Sequence, residues 1–209
     1  MKNYLILASL LVVGFLGIVS FAPKDSGTKG YKAGDVAQDF SLKNVDGKMF
    51  SLADKADAKG FIVVFTCNHC PFSKMYENRI EALDMLFSSK GYPVVAINPT
   101  DPVAYPDDTY EKMVTLAREH TYTFPYLDDS TQVITRWYGA TNTPHAFVLN
   151  KENGKLVVRY VGAIDDNAQD EMKVTKHYVA EAVNSLLAGK PVATPKTKAI
   201  GCGIKMKGC

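Results

Sequence analysis

The chain has 209 residues, 46% of them hydrophobic and 22% charged, with 24 Lys and Arg against 22 Asp and Glu. That composition excludes a disordered chain, a collagen and a bundle of membrane spans. A formal net charge of +2 without a basic run excludes a nucleic-acid binder working through phosphate contacts, and four cysteines are too few for a disulfide-stapled scaffold.

Residues 1–22 have the pattern of an export segment. Lys2 is followed by Leu5–Ala22, apolar and uncharged, ending in Ser20-Phe21-Ala22 with small residues where a signal peptidase reads. Pro23 opposes cleavage, and an uncharged run of about 18 residues can span a bilayer. A cleaved signal and an uncleaved anchor through residues 5–22 therefore both stay open. Either places the remainder outside the cytoplasm, periplasmic or facing outward from a membrane, where disulfides persist. Residues 23–32 are polar and glycine-rich, as a linker is.

One domain is expected over 33–190. Asp39–Leu42 and Lys48–Leu52 alternate around Asp46-Gly47, a hairpin signal. Phe61–Phe65 is continuously apolar, as a strand buried on both faces should be. Phe72, Met75, Tyr76, Ile80, Leu83, Leu86 and Phe87 recur at helical spacing. Pro93–Ile97 reads as a second buried strand. A Pro- and Asp-rich loop then leads to a helix near 109–120, opened by a capping box of Asp108 and Glu111. Phe124–Leu127 is short and extended, and Asp129 with Gln132 suggests a second box before a helix through Trp137. Ala146–Leu149 and Leu156–Val161 form a hairpin across Asn153-Gly154. Asp170–Leu187 reads as the last helix, closed by Gly189. Strand–helix alternation followed by a hairpin gives a mixed sheet in a three-layer α/β sandwich.

The chemistry-bearing stretch is Cys67-Asn68-His69-Cys70-Pro71, between a buried strand and an amphipathic helix. Unpaired N–H groups and the dipole at a helix N-terminus stabilise a thiolate, the form that attacks disulfides. Two intervening residues let the second cysteine expel a mixed disulfide, and Pro71 suits the first helical turn. Cys67 is expected at an exposed helix tip as the attacking nucleophile, with Cys70 as the resolving thiol one turn deeper. Asn68 and His69 tune the pair, a protonated His69 favouring the thiolate. A zinc site would need two more ligands at matching spacing, and no second Cys-x-x-Cys exists.

The order of elements and the Cys67–Pro71 motif resemble the thioredoxin-like fold. The Gly34–Leu52 hairpin, with Asp39-Phe40-Ser41-Leu42 and Asp46-Gly47-Lys48, resembles the opening of its extracytoplasmic TlpA-like and AhpC/TSA-type redoxin branches, as an N-terminal β-hairpin extension. The resemblance spans about residues 33–188. It implies that Thr143-Pro144 is the family's cis-proline loop, which packs beside the cysteine pair and holds a substrate strand. It also has departures. Phe61 stands where thioredoxins carry a buried acid, and Phe65-Thr66 replaces a Trp-containing approach. Ser73 stands where TlpA-like reductases carry a Glu. Val64 stands where a peroxidase needs Thr three residues before Cys67. Glu77 and His69 remain as candidate bases. His145 should lie near the motif, lining its pocket.

Residues 191–209 form a Lys-, Gly- and Cys-rich tail with Cys202 and Cys209 as accessory thiols, and Gly201-Cys202-Gly203-Ile204-Lys205 is similar to an ending of related redoxins. Three readings of it stand: a relay in which Cys202 exchanges with the Cys67–Cys70 pair, a Cys202–Cys209 disulfide, or a frayed basic end. The sequence thus points to an exported thiol–disulfide oxidoreductase. Its Cys67–Cys70 disulfide would exchange with cysteines of partner proteins, without organic cofactor, metal or nucleic acid. The rival is a copper- or zinc-binding module of the same fold using Cys67, Cys70 and His145.

Overall fold

A computed structural model describes residues 30–208. The export segment and Cys209 lie outside the described residues, and no helix among those described is long and apolar enough to cross a membrane. The first strands are β1 (Val36–Ala37), β2 (Ser41–Asn44) and β3 (Met49–Ser51), the last two forming the hairpin expected at Asp46-Gly47. β4 (Gly60–Phe65) leads through the cysteine motif into α1 (Pro71–Phe87), followed by β5 (Val94–Asn98). Next come α2 (Tyr110–Glu119), β6 (Tyr126–Asp128), α3 (Val133–Tyr138) and β7 (Asn142–Thr143). β8 (His145–Glu152), β9 (Lys155–Gly162), α4 (Tyr178–Leu187) and β10 (Cys202–Gly203) complete the chain.

Eight strands form one sheet in the order β1-β9-β8-β4-β5-β6-β2-β3. β4, β5 and β6 run parallel and the other pairings are antiparallel, the mixed sheet expected from the element order. β4 lies at the centre with all six residues buried, because it carries apolar side chains on both faces. Ile62 and Val64 pack with Tyr76, Ile80, Leu83 and Phe87 of α1 and Val179 and Val183 of α4. On the opposite face Phe61, Val63 and Phe65 pack with Phe40 and Phe50 of the hairpin and Ile134 and Tyr138 of α3. Each such side chain contributes about 1.5–3 kcal/mol on burial. The two layers hold the end of β4 rigidly, and the cysteine motif starts there.

Three boundaries differ from the sequence reading. α2 is capped by Thr109, whose Oγ1 accepts the Lys112 N–H, not by Asp108, whose carboxylate is buried in the site. α3 starts after Gln132, which takes left-handed backbone, while Asp129 accepts the Ile134 and Thr135 N–H groups. α4 begins at Tyr178 instead of Asp170, because Asp170 and Asp166 accept the N–H groups of Met172 and Thr175. Such local bonds compete with a helix for the backbone.

The frayed ending is also corrected. Val161 donates to the Pro195 carbonyl at 3.1 Å, and the Thr197 N–H returns to the Val161 carbonyl at 3.0 Å. Thr197 Oγ1 further accepts the Ala163 N–H at 2.9 Å, and beyond it β10 pairs with β7. The segment has no hydrophobic periodicity and is held by backbone bonding, so pattern reading misses it.

Candidate active site

β4 ends at Phe65, and the next five residues turn into α1. Cys70 is the helix N-cap and Pro71 its first residue, where a missing N–H has no intrahelical partner to lose. Thr143 joins the two cysteines. Its Oγ1 lies 3.2 Å from Cys67 Sγ, and its carbonyl oxygen lies 3.3 Å from Cys70 Sγ. Ser73 Oγ, from the first turn of α1, is 3.6 Å from Cys67 Sγ. The Thr143–Pro144 bond is cis and sits against the cysteines, as the resemblance implied.

The state of the cysteines corrects the sequence reading. Cys70 is disulfide-bonded to Cys202, 132 residues away, and Cys67 is free. Neither a Cys67–Cys70 nor a Cys202–Cys209 pair is therefore the disulfide present. Cys67 is also not at an exposed tip, because only 3% of its surface is accessible. Burial pushes its thiol above the ordinary value, outweighing hydrogen bonds from Thr143 and Ser73 and the Cys70 N–H, while the nearby Asp108 carboxylate pushes the same way. In this closed form Cys67 is a shielded thiol.

Asn68 and His69 tie the motif to the loop before α2. Asp108 accepts the Asn68 N–H at 2.6 Å and Asn98 Nδ2–H at 3.0 Å, and hydrogen-bonds His69 Nδ1. Asn68 Nδ2 donates to the Asp107 carbonyl at 2.9 Å, and Tyr126 OH donates to Asn68 Oδ1 at 2.7 Å. The His69 ring stacks on Tyr105, with centroids 4.2 Å apart and planes 11° from parallel. Asp108 is the residue at the cysteine motif that sequence reasoning missed. Its position before a helix suggested a cap, and nothing local to it signals the cysteines.

Of the candidate bases, His69 stands beside Cys67 in the Asp108 network. Glu77 is half-buried and shares with Cys67 a cavity of about 10 Å³, also lined by Tyr122 and Tyr126, roughly the room of one water. Burial pushes its carboxyl up, and His120 pairs with it at 3.3 Å. His145 follows the cis-proline as the first residue of β8. It pairs with Phe65 across the sheet, its Nδ1 accepts the Thr141 N–H at 3.3 Å, and burial pushes its pKa down to about 4. The donor set Cys67, Cys70 and His145 is thus not assembled, since the Cys70 sulfur is bonded to Cys202. Among the described residues, Cys67, His69 and Asp108 bring potential donor atoms within 4.8 Å of one another, but the Asp108 carboxylate is already engaged by the loop.

A strand beside Thr143, two cysteines at the end of a central strand and a helix starting at the second define a thioredoxin-like redoxin. The AhpC/TSA family model matches residues 33–161, and the chain belongs to that family. Thiol-disulfide oxidoreductase ResA of Halalkalibacterium halodurans is 23% identical over 140 residues, covering 67% of this chain and 74% of ResA. An uncharacterized conserved protein from Geobacillus kaustophilus is 36% identical with a TM-score of 0.78, covering 85% of this chain and 93% of its own. A hypothetical protein from Sinorhizobium meliloti is 32% identical with the same TM-score of 0.78, covering 86% and 97%. A putative thiol:disulfide interchange protein DsbE from Chlorobium tepidum, 21% identical with a TM-score of 0.57 over 75% of this chain and 98% of that one, shares the fold.

Proposed function

We propose that the chain is an exported thiol–disulfide oxidoreductase that exchanges disulfides with cysteines of partner proteins through Cys67 and Cys70. The observation carrying this reading is that Thr143 touches both sulfurs while a strand beside it delivers a cysteine to Cys70. A partner strand takes the same place. Reduced Cys70 loses its proton and attacks the partner's disulfide as a thiolate; the Cys70–partner bond forms, and the other partner sulfur leaves as a thiolate that takes up a proton. Cys67 then gives up its proton and attacks Cys70 Sγ. The Cys67–Cys70 bond forms, and the second partner sulfur leaves and takes up a proton. The partner's disulfide is reduced to two thiols and the Cys67–Cys70 pair is oxidised; the reverse sequence oxidises a partner dithiol.

This order exchanges the roles assigned from sequence, because Cys70 is the sulfur that meets a docked strand. Asn68 and His69 fix the loop through Asp108, and Thr143 and Pro144 position the strand. His69 and the water-sized cavity at Glu77 offer two routes for the Cys67 proton. Export rests on Lys2 and the uncharged Leu5–Ala22.

Turnover with dithiothreitol as reductant and insulin as disulfide substrate tests the reading. The unaltered chain should speed insulin reduction, and Cys67→Ser and Cys70→Ser should each abolish the gain. A rate no faster than dithiothreitol alone would contradict it.

A further inference from the structure

The Asn142–Thr143 edge holds a specific sequence. β10 lies antiparallel to β7 with Cys202 opposite Thr143 and Gly203 opposite Asn142. Asn142 Nδ2 donates to the Gly201 carbonyl at 3.0 Å, and the Ile204 N–H donates to the Thr141 carbonyl at 2.9 Å. Gln132 stands in for a further strand, its Nε2 donating to the Lys205 carbonyl at 2.9 Å and its Oε1 accepting the Lys207 N–H at 2.7 Å. These bonds read only backbone, so any extended segment could make them.

Selectivity comes from two side-chain positions. A Cβ at Gly201 would run into the Thr143 carbonyl and lie 2.9 Å from the Pro144 nitrogen, both backbone atoms that cannot swing aside. At Gly203 a Cβ would meet nothing within 4 Å, so that position is unrestricted. Ile204 is half-buried and packs against the core layer containing Phe65, Ile97 and Tyr138. Cys202, Ile204 and Met206 are half-buried while Gly203, Lys205 and Lys207 are exposed, the alternation of a strand with one face seated.

We propose that this edge is a peptide-recognition site selecting an extended cysteine segment with glycine before the cysteine and an aliphatic residue two positions after it, and that residues 201–205 are its built-in occupant. The proposal rests on the oxidoreductase reading and names the substrate class of the same site. The occupant leaves by thiol–disulfide exchange. Cys67 loses its proton and attacks Cys70 Sγ, the Cys67–Cys70 bond forms as the Cys70–Cys202 bond breaks, and Cys202 leaves as a thiolate that takes up a proton. No net electrons move. The freed strand then competes, through hydrogen bonds alone, with a partner segment of matching sequence.

The test uses the full chain with Cys67→Ser, Cys202→Ser and Cys209→Ser, leaving Cys70 as its sole thiol. The probes are the glutathione mixed disulfides of the peptide Ala-Ile-Gly-Cys-Gly-Ile-Lys and of two variants, one with valine before the cysteine and one with aspartate in place of the second isoleucine. Cys70 attacks the peptide sulfur, glutathione leaves as a thiolate, and intact mass reads the adduct. The parent peptide should react about tenfold faster than either variant, the scale of a steric clash or a lost apolar contact. Rates equal within about twofold would overturn the selectivity and leave the oxidoreductase reading standing. No adduct with any peptide or with oxidised glutathione would overturn both.

Gly201→Val in the otherwise unaltered chain gives a second readout that does not depend on the triple variant. Mapped disulfides should shift from Cys70–Cys202 to Cys67–Cys70, and an unchanged Cys70–Cys202 pairing would overturn the proposal.

Discussion

β4 leads into Cys67 and Cys70, and β10 brings Cys202 to Cys70, yet the two strands are held at this site by different physics. β4 is buried along its full length between two apolar layers and flanked by hydrogen-bonded strands on both sides. β10 is two residues long, half-buried at Cys202 and exposed at Gly203, and pairs with one short strand. Apolar burial is insensitive to redox poise, whereas the bond holding β10 is a disulfide that a thiol can open. The difference separates a permanent scaffold from a detachable strand at one site, and that separation can be broken or sharpened by substitution.

The largest effect is expected in the scaffold. Arg79 Nη1 donates to Asp165 Oδ2 at 2.8 Å with both side chains buried, and Tyr76 OH donates to Asp165 Oδ1 at 2.7 Å, joining α1 to the loop before α4. Asp165→Ala leaves a buried guanidinium without its partner and should cost about 3–5 kcal/mol in urea unfolding. A loss below about 1 kcal/mol would mean that the pair is not what fixes α1.

Cys202→Ser should cost less, about 2–4 kcal/mol, the usual scale for a disulfide closing a long loop. Its signature is spatial. Hydrogen exchange should rise across 191–208 and stay protected in β4, β5 and β8. Exchange rising equally in β4 would erase the contrast between scaffold and strand.

His145 gives a pH dependence confined to the scaffold. Its native pKa is about 4, against about 6.5 for an unfolded histidine. The unfolded chain therefore binds the proton first. The stability conferred by neutral His145 is complete above about pH 6.5 and is lost as pH falls toward 4, by about 2 kcal/mol between pH 7 and pH 5. His145→Phe should remove that increment from the pH profile of the urea midpoint. An unchanged profile would assign the slope to other groups. Smallest of all, Lys207→Ala removes a surface pair with Asp101 and should leave both the midpoint and the mapped disulfides unchanged.

How much was legible in the sequence follows from the same contrast. β4 was readable because burial on both faces leaves an unbroken apolar run, and Cys67 and Cys70 because their spacing before a helix has few other chemical uses. Thr143-Pro144 was legible through the family resemblance. Asp108 was not, because its partner Asn68 is 40 residues away and a buried acceptor looks in sequence like a helix cap. The docking of Cys202 was one of three open readings, since a glycine-rich strand held by backbone bonds and one disulfide leaves no periodic pattern. The burial of Cys67 and the seating of Cys202 at Cys70, on which the proposed exchange of their roles rests, were illegible for a related reason: both depend on a strand from the other end of the chain.

The most direct test of the account is a glutathione redox titration of the full chain with disulfides mapped by mass spectrometry at each ratio. The account predicts that Cys70–Cys202 and Cys67–Cys70 disulfides interconvert reversibly while the fold persists by circular dichroism. A Cys70–Cys202 bond that opens only as the protein unfolds, with no Cys67–Cys70 species at any ratio, would make it a structural staple and contradict the exchange.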